Sequence, residues 1–419
     1  MKNLVILGAG TAGTMMANHL QHHLKKPEWT ISVVDERDEH YYQPGFLFLP
    51  FDIYTPEDII KPIDEFIPKG VTLIKSKIDQ ILPKKNKVQL TDGKQLDYDV
   101  LIIATGAKIA PEETTGMDGE EWQKSVFDFY TFDGALALRN KLREWEGGKL
   151  VVHITEMPIK CPVAPLEFAF LADSFFKNKN IRDKVEITYV TPLDGAFTKP
   201  KATEALAHLL DEKNINIESD FAIELVDNEK KEIVDYSGRA IPFDILVTVP
   251  TNKGDDLMER SGLGDDLNYV PTNKATLQSK GFANIFVLGD ASNIPASKAG
   301  SVAHFEAEIL TDNILHFLKD EPLSEEFDGH ANCFIETGNS RALLIDFNYT
   351  HEPVKGSFPF PAFGPLSLLK ESRMNHMGKL AFRWIYWHVL LKGTHIPFVS
   401  SAMSEKGKNF EKFSQLTKA

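Results

Sequence analysis

Two cysteines, Cys161 and Cys333, are the residues of this 419-residue chain with the most distinctive chemistry. Thiols so far apart in sequence can be small buried apolar side chains, or they can meet in the fold as a dithiol that exchanges electrons. The separation neither supports nor excludes a disulfide. No C-x-x-C motif and no Cys/His cluster accompanies them, so the sequence predicts no metal site. The rest of the sequence has to show whether these cysteines are core residues or a redox pair.

Length and composition are those of a globular protein with room for two domains and a tail. Hydrophobic residues make up 42% and charged residues 25% of the chain. A net charge of −14 argues against nucleic acid as a partner, because phosphates demand a basic surface. No stretch reaches the ~18 apolar residues of a membrane-spanning helix. The amino terminus lacks the pattern of a secretory leader, so standard export is not expected.

Short apolar strands alternate with amphipathic helices, which predicts a mostly parallel α/β fold. The predicted strands are residues 4–7, 30–34, 100–104, 150–154, 185–190, 245–249 and 285–288. The predicted helices are residues 14–23, 165–176 and 301–317. We interpret this order as two Rossmann-like dinucleotide-binding domains with an interleaved chain. Residues 1–106 and 265–320 form the first domain, 107–264 the second, and 321–419 a C-terminal region.

A glycine-rich turn, Gly8-Ala-Gly10-Thr-Ala12-Gly13, lies between the first strand and the first helix. Gly8 permits the tight turn, Gly10 lets the backbone approach a pyrophosphate, and Gly13 lets helix and strand pack closely. The start of the helix offers amide groups to phosphates. Asp35 ends the next strand, where a carboxylate can bind ribose hydroxyls. This combination predicts a dinucleotide site.

The second half of the dinucleotide site follows the last predicted strand. Asp290 precedes a helix there and can accept hydrogen bonds from a ribityl chain, while the helix amides can face a reduced flavin. This arrangement suits FAD better than NAD. The sequence Ile-Ala-Thr-Gly at 103–106 and Leu-Gly-Asp at 288–290 resembles flavoproteins with two dinucleotide-binding domains. That resemblance places Pro44 near the isoalloxazine and Ile78 near the adenine.

The second predicted domain differs from the first at the corresponding turn. After the strand at 150–154, residues 155–167 contain three prolines, a thiol and no glycine. Side chains would therefore occupy the space that a second pyrophosphate needs, which disfavours NADH as the electron donor. We expect a donor that a thiol can handle.

The contexts of the two cysteines resemble those of the sulfide:quinone oxidoreductases, over residues 1 to about 395. The matching residues are Cys161, Ala164, Pro165, Glu167, Cys333, Phe334, Gly378, Lys379 and Phe382. The resemblance implies a redox-active pair formed by Cys161 and Cys333, with Glu167 as the proton acceptor. With the motifs above, it assigns the following residues to FAD: Gly8, Gly10, Ala12, Gly13, Asp35, Pro44, Ile78, Ala104, Thr105, Gly106, Gly289, Asp290, Lys298, Gly300 and Lys379. It assigns a quinone pocket to Gly300, Phe334 and Phe382.

The mechanism implied by this resemblance oxidises sulfide by two electrons. Hydrosulfide attacks the oxidised cysteine pair and leaves a persulfide on one sulfur and a thiolate on the other. A second sulfide releases polysulfide, and the electrons pass through FAD to a membrane quinone. Glu167 could instead be a solvated helix carboxylate, and Lys298 either a charge beside the flavin or a surface lysine. A third cysteine, common in the family near residues 125–128, is missing here, which predicts noncovalent FAD or a link through another residue.

The C-terminal region has a different charge from the body. Residues 370–408 contain seven Lys and Arg against two Glu. Apolar residues recur there at helical spacing beside a basic face formed by Lys379 and Arg383: Leu380, Trp384, Trp387 and Leu391. Such a helix can lie in the headgroup plane, which predicts peripheral (monotopic) attachment to the cell membrane on an undefined side. Packing of the helix on the body, or on another subunit of a homo-oligomer, is the alternative.

Three other functions share parts of this pattern. A flavocytochrome c-type sulfide dehydrogenase would share the cysteines but normally requires export and a haem partner. An NADH:quinone oxidoreductase would need the missing second glycine turn. A noncatalytic FAD redox sensor would be reduced once and stop. The sequence leaves the type of quinone, the length of the polysulfide and the number of subunits open.

Overall fold

The computed structural model of this chain describes residues 1–360, 364–396 and 399–410. The first twelve strands are β1 (Lys2–Leu7), β2 (Trp29–Asp35), β3 (Glu39–Tyr41), β4 (Ile60–Pro62), β5 (Thr72–Lys75), β6 (Ile78–Leu82), β7 (Lys87–Leu90), β8 (Gln95–Asp97), β9 (Val100–Ile103), β10 (Ala107–Ala110), β11 (Val126–Phe127) and β12 (Gly148–Ile154). The next twelve are β13 (Val185–Val190), β14 (Ile215–Glu218), β15 (Ile223–Asp227), β16 (Glu232–Asp235), β17 (Ala240–Pro242), β18 (Ile245–Val249), β19 (Thr251–Gly254), β20 (Ile285–Val287), β21 (Ala331–Gly338), β22 (Arg341–Phe347), β23 (Gly356–Phe358) and β24 (Leu366–Leu368). The α-helices are α1 (Thr11–Leu20), α2 (Pro56–Ile59), α3 (Phe132–Glu144), α4 (Ala164–Asn178), α5 (Pro200–Glu212), α6 (Asp256–Arg260), α7 (Gly300–Leu318) and α8 (Arg373–Ile385).

A five-stranded parallel sheet carries the glycine-rich turn. Its order is β20-β9-β1-β2-β5, so a strand from late in the chain closes a sheet begun by the first residues. The carboxyl ends of parallel strands share one edge, and the turn after β1, the end of β2 and the segments after β9 and β20 therefore meet there. The predicted α/β class and this late return of the chain are confirmed.

A second five-stranded parallel sheet has the order β11-β18-β12-β13-β14. The chain leaves the first sheet through β10 and comes back through β19, and these two connections pair antiparallel. Four smaller units complete the strands outside the C-terminal region: β3-β4, β6-β7-β8, β15-β16-β17 and β10-β19. The bounds of the two domains themselves stay a prediction.

The C-terminal region holds a four-stranded sheet, β21-β22-β24-β23, that the sequence reasoning did not find. In its longest pair Cys333 lies opposite Ile345, well inside an eight-residue strand. Neither face of β21 is exposed, so its residues show no alternation of apolar and polar side chains. Buried polar residues such as Glu336 and Thr337 further conceal the pattern.

Helix α8 begins at Ser372, whose side chain accepts a hydrogen bond from the backbone of Asn375 at 3.0 Å. The helix continues into a π-helical turn at Tyr386–Leu390, and together they span the predicted tail helix. Prediction placed the first helix of the chain at 14–23, but α1 starts at Thr11 and ends at Leu20. Among the residues that the model describes, no helix is long and apolar enough to cross a bilayer.

Candidate active site

One cavity of about 470 Å³ connects the glycine-rich turn with both cysteines. Its walls come from the edge of the first sheet, the start of α4, the start of α7, β21 and α8. The predicted site residues that line it are Gly8, Gly10, Ala12, Asp35, Pro44, Ile78, Ala104, Thr105, Gly106, Cys161, Glu167, Gly289, Asp290, Lys298, Gly300, Cys333, Phe334, Lys379 and Phe382. Gly13 is the exception, because it lies behind the turn.

Two glycines of the turn are required by the backbone itself. Gly8 has a φ of +97°, and a Cβ there would lie 2.5 Å from the carbonyl oxygen of Ala104. A Cβ on Gly13 would lie 1.9 Å from the carbonyl oxygen of Gly8. Gly10 borders open space, because the nearest atom to a Cβ built on it would be an Arg37 nitrogen at 3.8 Å. This open cradle at the start of α1 fits the pyrophosphate of a dinucleotide.

The Asp35 carboxylate lies at the same edge and is already hydrogen-bonded. Its oxygens accept from the backbone of Ala9 at 2.7 Å and from the guanidinium of Arg37 at 2.9 and 3.0 Å. Burial acts to raise its pKa, but the hydrogen bonds and charge of Arg37 outweigh burial and hold the pKa of Asp35 below its usual range. The carboxylate is therefore ionised at the cavity wall, and its oxygens can only accept hydrogen bonds, as from a ribose hydroxyl.

Cys161 lies in a constrained turn before α4. Its φ is +44°, a left-handed conformation that costs a non-glycine residue about 1–3 kcal/mol and often marks functional sites. The backbone holds it there, because its N–H donates to Lys298 at 2.8 Å and its carbonyl accepts from Ala164 at 2.9 Å. The Tyr130 hydroxyl also donates to this carbonyl, at 3.2 Å. Three hydrogen bonds, with Lys298, Ala164 and Tyr130, thus hold the backbone of Cys161 in this turn.

Both cysteines are free, half-buried thiols in the wall of the cavity. Burial and then the charge of Glu167 raise the pKa of Cys161 well above its usual range, while Lys379 opposes them. Burial raises the pKa of Cys333 to about 12, and the charge of Lys379 again opposes. Each thiol thus lies within reach of the same two charges. In the reduced pair both are protonated at neutral pH, so a thiolate forms only if a nearby group takes its proton.

The group beside the thiols is a buried ion pair between Glu167 and Lys379. The Lys379 ammonium donates to Glu167 Oε1 at 2.8 Å and to the carbonyl of Phe334 at 3.0 Å. The same Oε1 accepts from the backbone of Glu336 at 2.7 Å, whereas Oε2 is buried without a hydrogen-bond partner among the described residues. Burial raises the pKa of Glu167, and Lys379 opposes the rise. Glu167 is fully buried, so the alternative of a solvated helix carboxylate is wrong.

Lys298 is also buried, and its side chain is only 8% exposed. Its ammonium donates to the carbonyls of Asp290 and Ser292 at 3.0 and 2.7 Å and lies 4.2 Å from the centre of the Tyr269 ring. The alternative of a surface lysine is therefore wrong. Burial lowers the pKa of Lys298, and the charge of Asp290 opposes this. Its hydrogen bonds brace the segment after β20.

The predicted quinone residues Gly300, Phe334 and Phe382 all line the cavity. Phe334 packs against the helix backbone, since a Cβ on Gly378 would lie 2.9 Å from its ring. Phe382 and Gly300 line the same cavity from α8 and from the first residue of α7. Aromatic rings are surfaces on which a flat molecule can pack, and we call these three residues the aromatic slot. Their role with a quinone stays a prediction.

The tail does not present the face that its sequence suggested. Trp387 and Leu391 are buried, and Trp387 stacks on Phe66 at 5.1 Å. Lys379 points into the cavity and Arg383 pairs with Asp58, so these two do not form an outward basic face. The exposed large hydrophobic residues of α8 are Met374, Met377 and Trp384. Which side of this helix is buried depends on its contacts with the rest of the protein. The helical period of the sequence does not reveal these contacts.

Sequence reasoning missed a hydrogen-bonded chain between the tail and the glycine-rich turn. Tyr386, in the π-helical turn, lies 2.6 Å from the Thr11 hydroxyl and 2.7 Å from His40 Nε2. Burial and then the charge of Arg37 lower the pKa of His40 to about 4, so the ring is neutral. Its Nδ1 must donate to the Ala9 carbonyl, which can only accept. Tyr386 therefore donates to His40 and accepts from Thr11, and all three are fixed beside the cradle.

We expect the retention of FAD to depend on Tyr386 through these hydrogen bonds. Tyr386→Phe should cost the holoprotein about 2 kcal/mol, because it leaves His40 Nε2 buried without a donor. Thermal unfolding and the rate of FAD release measure the effect. Tyr98→Phe is the matched control, since the Tyr98 hydroxyl is buried without a partner among the described residues. Equal FAD release from both variants would contradict a role for the tail in holding the cofactor.

Among the described residues, no cluster of His, Cys, Asp and Glu has the arrangement of a metal site. The cavity, its open cradle and its carboxylates instead fit an FAD. Asp35, Ile78, Asp290 and Pro44 all line this cavity. The assignment of Asp35 and Ile78 to the adenosine part, and of Asp290 and Pro44 to the flavin part, stays a prediction.

Comparisons with known proteins agree with this geometry. Residues 2–306 match the family model described as pyridine nucleotide-disulphide oxidoreductase. The mitochondrial sulfide:quinone oxidoreductase of Dictyostelium discoideum is 30% identical over 398 residues, covering 93% of this chain and 86% of that protein. A type II NADH:quinone oxidoreductase of Staphylococcus aureus (strain MSSA476) is 25% identical over 381 residues, covering 82% and 90%. The X-ray structure of the sulfide:quinone oxidoreductase from Aquifex aeolicus shares the fold, with a TM-score of 0.78 at 23% identity over 94% of this chain and 92% of that one.

Proposed function

The chain belongs to the pyridine nucleotide-disulphide oxidoreductase family, and from this premise we propose that it is an FAD-dependent sulfide:quinone oxidoreductase. It oxidises sulfide to sulfane sulfur or polysulfide and passes the electron pair to a quinone. The observation that carries the proposal is a single cavity that joins the glycine-rich turn to both cysteines and to an aromatic slot. Donor, cofactor and acceptor can therefore share one space.

The turn after β12 favours sulfide over NADH as the donor. Residues 155–163 contain no glycine, and Cys161 stands where the turn reaches the cavity. In the first sheet the corresponding turn needs Gly8 and Gly13 to form the cradle. Prolines at 158 and 162 cannot reproduce that cradle, because they lack the backbone N–H groups that bind phosphate.

In the mechanism, the cysteines form and break the bonds to sulfur. Hydrosulfide attacks the Cys161–Cys333 disulfide, so that one sulfur becomes a persulfide and the other leaves as a thiolate. A second hydrosulfide attacks the outer persulfide sulfur, releases a polysulfide and leaves the second thiol. Bound FAD supplies the two-electron acceptor for the reduced pair and the donor for quinone. For each sulfane sulfur, one hydrosulfide, one proton and one quinone give one quinol.

Glu167 and Lys379 handle the charge of these steps. The unpartnered Oε2 of Glu167 is the acceptor for a proton from hydrosulfide or from a cysteine. Lys379 lowers the free energy of a thiolate on either sulfur, since its positive charge opposes the rise in the pKa of both thiols. Lys298 keeps the loop beside Cys161 in place through its backbone contact with that cysteine. These roles follow from position and charge in the cavity wall.

Anaerobic mixing tests the proposal. Sulfide should bleach the flavin absorbance, NADH should not, and a soluble quinone analogue should then restore it over many cycles. Bleaching by NADH would favour an NADH:quinone oxidoreductase. Reduction by sulfide without turnover would favour a redox sensor, and reoxidation by a cytochrome but not by quinone would favour a flavocytochrome-type dehydrogenase.

We also propose that α8 attaches the protein to a membrane surface as a peripheral protein. Met374, Met377 and Trp384 project from one side of the helix and are 46%, 62% and 61% exposed. The opposite side carries Lys379 and Phe382 into the cavity. A bilayer contact on the outer side would bring a lipid-dissolved quinone close to the aromatic slot.

Substitution of the exposed side tests this attachment. The double variant Met377→Gln/Trp384→Gln should lose at least about tenfold in binding to anionic lipid vesicles, because two large apolar side chains no longer enter the interface. Cosedimentation measures it. Tyr236→Gln is the control, since Tyr236 is a 75% exposed aromatic residue in the loop between β16 and β17. Equal loss in both proteins would contradict the proposed surface.

The domain division follows the sheets. Residues 1–106 and 265–320 would bind FAD, 107–264 would carry the first cysteine turn, and 321–419 would supply Cys333, the quinone slot and the membrane surface. Support comes from the first sheet, which takes β20 from the second of these segments. Residues 361–363, 397–398 and 411–419 of the C-terminal region lie outside the described residues.

A further inference from the structure

Four titratable residues form a series from the cavity toward the surface, on α4, β21 and α8: Glu167, Lys379, Glu336 and His376. We call this series the file. Glu167 and Lys379 are at its inner end, in the cavity wall. Glu336 comes next: its backbone N–H donates to Glu167 at 2.7 Å, and its carboxyl group interacts with the charge of Lys379. The carboxylate of Glu336 lies 2.9 and 3.0 Å from Nδ1 of His376, which is the outer end.

His376 has the most exposed side chain of the four residues. The side chain of Glu336 is 1% exposed and that of His376 is 19% exposed. At the inner end the side chains of Glu167 and Lys379 are 0% and 11% exposed. His376 is thus the member in contact with solvent, and Glu336 is a buried carboxyl between solvent and the ion pair.

Reduction of a quinone by two electrons requires two protons at its oxygens. The aromatic slot of Phe334 and Phe382 is part of the cavity wall, and Phe334 is capped by α8. Resting on the proposed function, we propose that Glu336 and His376 form the outer segment of a proton relay that feeds the Glu167 and Lys379 pair during quinone reduction. His376 takes a proton from water and passes it to Glu336, and one proton lost at the inner end is replaced by one from solvent.

The groups around Glu336 determine the pH range in which this relay works. Burial raises the pKa of Glu336 to about 7, while the charges of His376 and Lys379 oppose the rise and that of Glu167 adds to it. Two further groups come from neighbouring segments. The hydroxyl of Tyr54 is buried, and the charge of Arg383 is paired with Asp58. Glu336 is thus protonated below about pH 7 and ionised above it. As a proton donor it should work best at the acidic side, so quinone-driven oxidation of the flavin should slow as the pH rises through this value.

The experiment uses the FAD-loaded protein and separates its two half-reactions by anaerobic stopped flow. The flavin is reduced with sulfide, or with dithionite in a parallel series, and then mixed with a short-chain quinone between pH 6 and 9. Glu336→Gln and His376→Gln should each slow reoxidation at least about tenfold relative to sulfide-driven reduction in the same variant, at the lower end of the range for proton-transfer groups. Glu336→Gln should also lose the decline above neutral pH, and added imidazole should restore rate to His376→Gln.

His208→Gln is the matched control, because it removes a His–Glu contact of 3.1 Å at an exposed site on α5. Infrared difference spectra of reduction provide a readout other than rate, since a protonated carboxyl band should disappear in Glu336→Gln. Reoxidation equal to wild type at every pH in both relay variants would overturn the relay. So would an unchanged pH profile and carboxyl band in Glu336→Gln. Failure of sulfide to reduce wild-type flavin would instead reject the proposed function, and the dithionite series would still decide the relay.

Discussion

Cys333→Ser and Cys161→Ser should each lower sulfide-driven reduction of the flavin by at least about a thousandfold, the scale of losing a covalent nucleophile. The expected loss is this large because the persulfide step needs two sulfurs that can exchange a bond. Serine cannot form that bond, although it is close to cysteine in size. Stopped-flow absorbance of the flavin after mixing with sulfide measures the rate.

Reoxidation of the flavin by quinone provides the control in the same two variants. Each should retain FAD, and after reduction by dithionite each should be reoxidised by quinone at close to the wild-type rate, because the aromatic slot is unchanged. A variant that still turns over sulfide like the wild type would contradict the dithiol step. Loss of FAD would make the variant unsuitable, in which case Cys333→Ala provides the comparison at a position inside β21 rather than in the strained turn.

Lys379→Met has the second largest expected effect. It leaves the carboxylate of Glu167 buried without its counter-charge, and breaking such a pair costs about 3–5 kcal/mol of folding free energy. It also removes the charge that opposes the raised pKa of both thiols, so sulfide-driven reduction should fall by about a hundredfold. Chemical denaturation measures the first effect and stopped flow the second.

A double-mutant cycle separates the pair from its members. Glu167→Gln/Lys379→Met should recover a large part of the stability lost in Lys379→Met, because no buried charge is then left without a partner. The rate should not recover, since both the proton acceptor and the positive charge are gone. Additive losses of stability in the double variant would contradict the ion pair as the main interaction of these side chains.

Local sequence was sufficient for the glycine turn and for four of the five strands of the first sheet, but not for the edge strand β5, which is largely exposed. The predicted strands are short apolar runs, and the observed bounds of β13 and β18 equal those predicted. Gly8 and Gly13 are required by contacts within a few residues of sequence or with the neighbouring strand. The spacing of glycines therefore carries the information that the backbone needs.

The C-terminal half of the site could not be derived in the same way. β21 has no exposed face, so it lacks the alternation that marks a strand. Lys379 and Arg383 have the same sequence signal as a lipid-facing basic stripe, yet Glu167 and Asp58 attract them inward. The contacts of Tyr386 with Thr11 and His40 span more than 340 residues, and no local pattern encodes them.

The resemblance to a known family predicted part of the C-terminal half of the site. It drew attention to Glu167, Lys379 and Phe382, all of which line the cavity. It did not indicate Glu336 or His376, because these residues become neighbours of the ion pair only through the packing of β21 against α8. Tertiary contacts, rather than residue types, give these side chains their chemistry.

The most direct test of the account is the bonding state of the two cysteines in working enzyme. The protein is oxidised anaerobically with quinone, alkylated, digested and analysed by mass spectrometry, with a parallel sample reduced by sulfide before alkylation. The account predicts that oxidation joins the Cys161 and Cys333 peptides, directly or through added sulfur, and that reduction separates them into alkylated or persulfide forms. Two fully alkylated thiols in oxidised enzyme that still turns over sulfide would contradict it.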